Sequence, residues 1–381
     1  MLFRGVEEYP TSVQLERAFE AIGGNVNAST DAESTCYHSR LHPDHLRQGA
    51  ALFAAMLRRP LLNDLETERR IIIEEALEDQ NEKGEEISTD NLVARLLWQG
   101  HPLAVPTIGR RETIDRFSRK DLEDFHRRFY VPENTVVAVS GRIRHEEAVA
   151  AVEEAFGSWS ARELPAPQPQ APKPTEGGRS LWVRDSGSQV NVQLAFRVPG
   201  RHDAMNMPLR VLRAILAWGG ASRLMLRLRE ELGLVYGVEA NLVLYGDCGS
   251  FNIEMAVAPA NLVQTVSEVL QVVSRLRAAP VEAEELAAAV RGYRYELEFS
   301  RDYADAMAMR FGWGELVGYV REVAEDLRDL DAVTPAQLQA AAEEFFVVER
   351  LGAAFVGPYR DTDRPAVEES LQDFGGDLRS T

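Results

Sequence analysis

Two sets of side chains in this sequence could do chemistry. The first is acidic: Glu66, Glu68, Glu74, Glu75, Glu78 and Asp79 fall within one stretch with helical spacing. A charged run on a helix is commonly a solvated face. Glu68 and Glu75 are a special pair within it, because residues seven apart share one helix face, with Ile71 and Ile72 between them. Carboxylates on a partly apolar face need a partner, either a cation or a metal ion. The second set is Arg229 and Tyr236, in Arg229-Glu230-Glu231-Leu232-Gly233-Leu234-Val235-Tyr236. Arg229 lies on the last turn of an expected helix and Tyr236 on the strand after Gly233. One reading makes Arg229 a helix-dipole partner and Tyr236 an ordinary strand residue. The other has both facing a cleft, where they could hold and polarise a carbonyl oxygen.

The histidines offer less. His42 and His45 flank Pro43, where a helix is expected to start, and that position explains them without a metal. His145-Glu146-Glu147 lacks a second histidine at metal-binding spacing. Cys36 and Cys248 are too few for a disulfide framework or a four-cysteine zinc site. No metal site can be completed from the histidines, cysteines and acids present.

The elements that must position these residues follow from periodicity. Thr11 or Ser12 caps a helix to Ile22, which Gly23-Gly24 stops. Asn25 to Leu41 has the pattern of a hairpin with a turn near Asp31-Ala32-Glu33. Helices follow from Pro43 to Pro60, Leu65 to Asn81, Asp90 to Trp98, Asp121 to Tyr130 and Glu146 to Phe156, with a buried-type strand at Asn134 to Ser140. Five prolines between Pro165 and Pro174 mark a connector. Beyond it come strands near Leu181 to Val183, Asn191 to Val198, Val235 to Leu244, Ser250 to Val257 and Leu351 to Val356. Helices are expected at Met205 to Trp218, Ser222 to Leu232, Ala260 to Leu276, Glu282 to Arg301 and Ala304 to Val317, and a loose acidic tail from Asp361.

This order divides the chain into residues 1–162, a proline-rich linker at 163–178, and residues 179–381. The two halves repeat one pattern: a helix ended by glycine, two strands, a proline-bounded helix, then a Glu-rich helix. The expected class is α+β, with two homologous domains. With 60 acidic against 42 basic residues, the net charge of −18 argues against a nucleic-acid surface. No apolar run has transmembrane length, and no basic segment leads an apolar one as in a signal peptide. Met1-Leu2-Phe3-Arg4-Gly5 has the pattern of a helix end without its body, which suggests either a loose start or a missing upstream segment.

An ordered set of segments resembles the M16 peptidases, the insulinase and mitochondrial-processing-peptidase family. They are Met1-Leu2-Phe3-Arg4-Gly5, Gly23-Gly24-Asn25-Val26-Asn27-Ala28, Glu68-Arg69 through Glu74-Glu75, Gly100-His101-Pro102-Leu103, Tyr130-Val131-Pro132-Glu133-Asn134, and Arg229 through Tyr236. The resemblance implies two mostly antiparallel sheets packed with helices, closing as a clamshell. It implies zinc held by two histidines of an H-x-x-E-H helix and a distal glutamate, with the Glu of that motif as general base. Glu75 matches the distal metal ligand and Glu68 a supporting catalytic acid. Asn27 and Ala28 match an edge strand that pairs with substrate backbone. Arg229 and Tyr236 match the catalytic pair that contacts the scissile carbonyl.

In the family the Met-Leu-Phe-Arg-Gly stretch directly follows H-x-x-E-H, so both histidines and the base are absent here. The resemblance therefore implies a zinc metalloendopeptidase whose 381-residue chain holds one ligand of three and binds no zinc tightly alone. The implied partners are a peptide or unfolded protein and a second M16 subunit, in a homodimer or a heterodimer. The alternatives are a non-catalytic, peptide-binding subunit and a structural scaffold.

Overall fold

The computed structural model describes residues 1–161, 164, 172–173 and 178–374. Most of the expected linker, 163–178, lies outside the described residues. The chain forms two compact units: residues 1–76, 107–169 and 299–321 make the first, and residues 77–106, 170–298 and 322–381 the second.

The first unit is mainly helical. Helices α1 (Ser12–Glu20), α2 (Leu46–Arg58), α3 (Leu65–Leu77), α5 (Arg111–Ile114), α6 (Arg119–Phe129), α7 (His145–Phe156) and α11 (Ala304–Leu316) accompany a hairpin of β1 (Asn27–Thr30) and β2 (Thr35–His38). Thr11 caps α1 through a reciprocal pair with Gln14. The hairpin turn is closed by Asp31, whose carboxylate accepts from the backbone N–H of Glu33 and Ser34. The core gathers Leu2, Val6, Leu15, Phe19, Leu52 and Met56. The start of the chain is therefore packed, with Leu2 on a short 3-10 turn. Gly5 is required there: at φ +136° any Cβ would sit 2.5 Å from the Pro10 carbonyl oxygen.

The strand expected at Asn134 to Ser140 does not form. Pro132–Asn134 is a 3-10 turn, and the following extended residues leave Val136, Val137 and Val139 exposed. A strand exists only against a partner, and none of the described residues pairs with this stretch.

The second unit is built on a five-stranded sheet, ordered β3 (Arg179–Val183), β7 (Leu351–Val356), β4 (Val190–Pro199), β6 (Cys248–Val257) and β5 (Val235–Leu244). All its pairings are antiparallel except β3 with β7. One face buries Val192, Leu194, Phe196, Phe251 and Ile253. Helices α8 (Asn206–Ala217), α9 (Leu262–Ala278), α10 (Ala283–Phe299), α12 (Val323–Asp331) and α13 (Pro335–Phe345) belong to this unit, and α8 packs against β5. Each fully buried Phe or Leu on that face contributes about 1.5–3 kcal/mol. On the other face α4 (Thr89–Leu97) lies against β4 and β7. It can come close because Ala195, Gly352 and Ala354 are small; a Cβ on Gly352 would stand 3.2 Å from Leu96.

The tail beyond Asp361 is not loose as far as it is described. It folds as α14 (Asp363–Asp373), which packs on α9. Val367, Leu371 and Phe374 recur at helical spacing and are all buried, while Asp363 is gripped by Arg360 at 2.8 Å. Leu371→Ala should then cost about 2–5 kcal/mol, read as a lower urea midpoint at unchanged slope. A loss below about 0.5 kcal/mol would mean that the helix is not docked.

Candidate functional site

The segment that carries Arg229 is not an α-helix. Met225–Glu231 is a π-helix, a wider turn that recurs at functional sites and seldom persists without outside support. Two forked arginine–carboxylate pairs supply the support. Arg223 donates to both oxygens of Glu285 on α10, at 2.8 and 2.6 Å. Arg227 donates to both oxygens of Glu268 on α9, at 2.8 and 3.0 Å, and to Glu231 at 2.7 Å. Such two-pronged, charge-assisted bonds fix orientation as well as distance. Leu228 fastens the inner side of the turn by complete burial.

Gly233 then ends the helix at φ +61°, in the left-handed region that favours glycine. Its N–H donates to the Arg229 carbonyl at 3.1 Å, and the Leu234 N–H donates to Leu228 at 2.7 Å. The chain turns directly into β5. There Val235 faces Val257 and Val238 faces Met255, so Tyr236 and Gly237 together oppose the single residue Ala256. This bulge re-aims Tyr236 outward, and its side chain is 85% exposed. The Arg229 guanidinium carbon lies 5.2 Å from the centre of the Tyr236 ring, within cation–π range. Arg229 also meets Glu230 at 3.4 Å. A guanidinium and a phenol on one exposed surface present N–H and O–H donors that can hold a carbonyl oxygen and stabilise charge developing on it. The two helix clamps and the bulge are the supporting parts that local sequence does not reveal. Glu285 and Glu268 lie 62 and 41 residues from their arginines.

In the first unit, α3 carries Glu68 and Glu75 to different fates. Glu68 is half-buried and accepts from the Met1 amine at 2.9 Å and from Arg4 Nε at 2.7 Å. Burial pushes its carboxyl up, but the bond from the amine, its charge and the Arg4 bond outweigh that and hold it below the ordinary value. Glu75 is exposed. Asn27 and Ala28 are exposed on β1, which pairs through Asn27↔His38 and Ala28↔Tyr37 with β2 alone among the described residues. The outer edge of β1 is therefore open to a further strand. Behind it, the Tyr37 and Tyr130 hydroxyls share a 2.7 Å hydrogen bond, and His126 stacks on Tyr130 at 4.8 Å. His42 caps the 3-10 turn Pro43–His45, in keeping with a role at the start of a helix.

Among the described residues no three or more histidine, cysteine, aspartate or glutamate side chains come together as a metal ion would need. Both oxygens of Glu68 are engaged by cations.

Comparison with known proteins agrees with the fold and with the ordered motifs. Residues 1–111 match the family model described as insulinase (peptidase family M16), and residues 116–293 match the one described as peptidase M16 inactive domain. A protein of Mycobacterium leprae named "uncharacterized zinc protease" is 32% identical over 358 residues, covering 92% of this chain and 79% of that one. A Bacillus subtilis protein named in the same way is 26% identical over 363 residues, covering 94% and 86%. The crystal structure of a protease from Helicobacter pylori superposes with a TM-score of 0.86 at 19% identity, over 94% of this chain and 87% of that one. A peptidase M16 inactive domain from Pseudomonas fluorescens gives 0.80 at 19% identity, over 94% and 86%. The chain belongs to the M16 peptidase family.

The Glu68 cluster sets a pH signature. Its lowered carboxyl value stabilises the fold above the unfolded value near 4.5, and that contribution is lost as pH falls through the lower folded value. Urea unfolding between neutrality and strong acid should show Glu68→Gln flattening the loss of stability below the unfolded value. Parallel curves for the two proteins would contradict the assignment.

Proposed function

We propose that this chain binds extended polypeptide and polarises a peptide carbonyl in M16-type proteolysis. The observation that carries this is the Arg229–Tyr236 pair, held on a clamped π-helix and a bulge with its donors exposed. A scaffold has no physical need to support such a turn so heavily or to expose a tyrosine so fully. The open edge of β1 at Asn27 and Ala28 supports the same reading, because an extended chain can add there as a strand, through main-chain hydrogen bonds. Residues 1–162 and 179–381 are the two homologous domains of this reading, joined by 163–178.

The relatives are named zinc proteases. Glu75 is the residue of this chain assigned to zinc, with Glu68 in support. Among the described residues the donors do not gather into a metal site, and in this reading the chain alone should hold no zinc tightly and hydrolyse nothing. The second reading is a non-catalytic subunit that lends Arg229 and Tyr236 to a zinc-bearing M16 partner. Either reading involves a second M16 chain, in a homodimer or a heterodimer.

Zinc content, chelator-sensitive turnover of a quenched peptide and anisotropy with a labelled unstructured peptide test this together. The expected outcome is substoichiometric zinc, no turnover, and peptide binding that falls about tenfold in Arg229→Gln, the loss of one charged hydrogen-bonding group. Tyr236→Phe should weaken binding less, and N-methylating the peptide backbone should weaken it as much as Arg229→Gln. Stoichiometric zinc with chelator-sensitive turnover would refute the donor argument. Failure to bind any peptide would refute the role in peptide binding.

A further inference from the structure

Strand β3 is one edge of the five-stranded sheet, and β7 is its sole partner among the described residues. The Gly178 N–H, just before the strand, turns inward and donates to the Leu351 carbonyl at 2.9 Å. Backbone groups alternate in direction along a strand, so those of Leu181, three residues on, point away from β7. Such an edge is a template for a further strand.

This edge lies between two walls. Both α4 and α14 contact β3, and they do so on opposite faces. Ser180 projects toward α14, where its hydroxyl donates to Glu368 at 3.1 Å. Leu181 projects the other way and packs on the cluster that holds Leu92 and Leu97 of α4. A cavity of about 720 Å³ is lined by the edge itself, by Arg95 and Gln99 on the α4 side, and by Glu368, Glu369 and Gln372 on α14. The walls differ in charge: a guanidinium and an amide on one, two carboxylates on the other. Glu368 is occupied by Ser180 and by Arg364 at 2.9 Å. Arg95, Gln99 and Glu369 make no hydrogen bond or ion pair among the described residues. A lone exposed charge is commonplace. What sets Arg95 and Glu369 apart is that they stand on either side of an open strand edge.

A strand added to β3 would send successive side chains alternately to the two walls. The occupant that satisfies both is an extended chain with acidic side chains at every second position, facing Arg95 and Gln99. Its basic side chains fall between them, facing Glu369. We propose that the β3 edge docks such a segment of a partner polypeptide by β-strand addition. Main-chain bonds at Leu181 supply the attachment, and the walls set the register, because a slip of one residue brings like charges together. The proposal is independent of the reading of Arg229 and Tyr236.

Anisotropy with the whole chain tests it, using a labelled, end-capped peptide of repeated Glu-Lys and a twin of the same length and composition ordered Glu-Glu-Lys-Lys. The two carry equal charge, so only a strand read from both faces tells them apart. The alternating peptide should bind about tenfold more tightly, the effect of one charge-assisted contact on a matched register. In Arg95→Gln and in Glu369→Gln the preference should fall to about threefold or less. Methylating the backbone nitrogens of all the glutamates, or of all the lysines, blocks one edge of the peptide at a time; one of these should abolish binding and the other should leave it. The preference should persist in Arg229→Gln. Binding of neither peptide, equal binding of both, or a preference that survives both substitutions would overturn the docking site. Loss of the preference in Arg229→Gln would place the peptide elsewhere and overturn it too.

Discussion

The ladder between β4 and β6 is the constraint on which the second unit depends. It runs unbroken from Val190↔Val257 to Pro199↔Cys248. Side chains alternate along a strand, so a slip of one residue would carry Val192, Leu194 and Phe196 out of the core and bring Gln193 into it. The hydrophobic cost of that exchange fixes the register, and the register fixes everything attached to it. β5 hangs on the far edge of β6, and its bulge falls where the chain arrives from the π-helix. Tyr236 is thus aimed by the packing of residues that never touch it.

Regular elements were largely legible in the sequence. The alternation in Val190–Pro199 and Cys248–Val257 and the glycine and proline stops of the helices mark most of them to within about two residues, but the helix expected to reach Asn81 ends at Leu77, and α12 and α13 were not expected. Departures from regularity were not legible, and each fails for a physical reason. The stretch from Asn134 to Ser140 has the composition of a buried strand, but composition cannot supply a partner. The α14 helix hides in an acidic tail, because Val367, Leu371 and Phe374 are few and widely spaced among charges. The π-helix depends on carboxylates distant in the chain, and the bulge depends on a count of residues in two strands at once. Spacing alone left Arg229 and Tyr236 as two ordinary residues; the family motif selected them, and the fold brings them within 5.2 Å.

At the start of β5 a guanidinium and a phenol are exposed together, on a π-turn and a bulge that each carry a local cost. Proteins keep such costs mainly where function requires them. The fold is shared with solved structures at 19% identity.

The central claim is that Arg229 and Tyr236 hold a peptide carbonyl. The direct test is isotope-edited infrared spectroscopy of a bound peptide, with 13C placed at each backbone carbonyl in turn. One labelled position should shift to lower frequency on binding, because donors that polarise the C=O bond weaken it. That shift should shrink in Tyr236→Phe and vanish in Arg229→Gln under saturating peptide. A peptide that binds with every carbonyl at its solution frequency, or with shifts indifferent to both substitutions, would contradict the account.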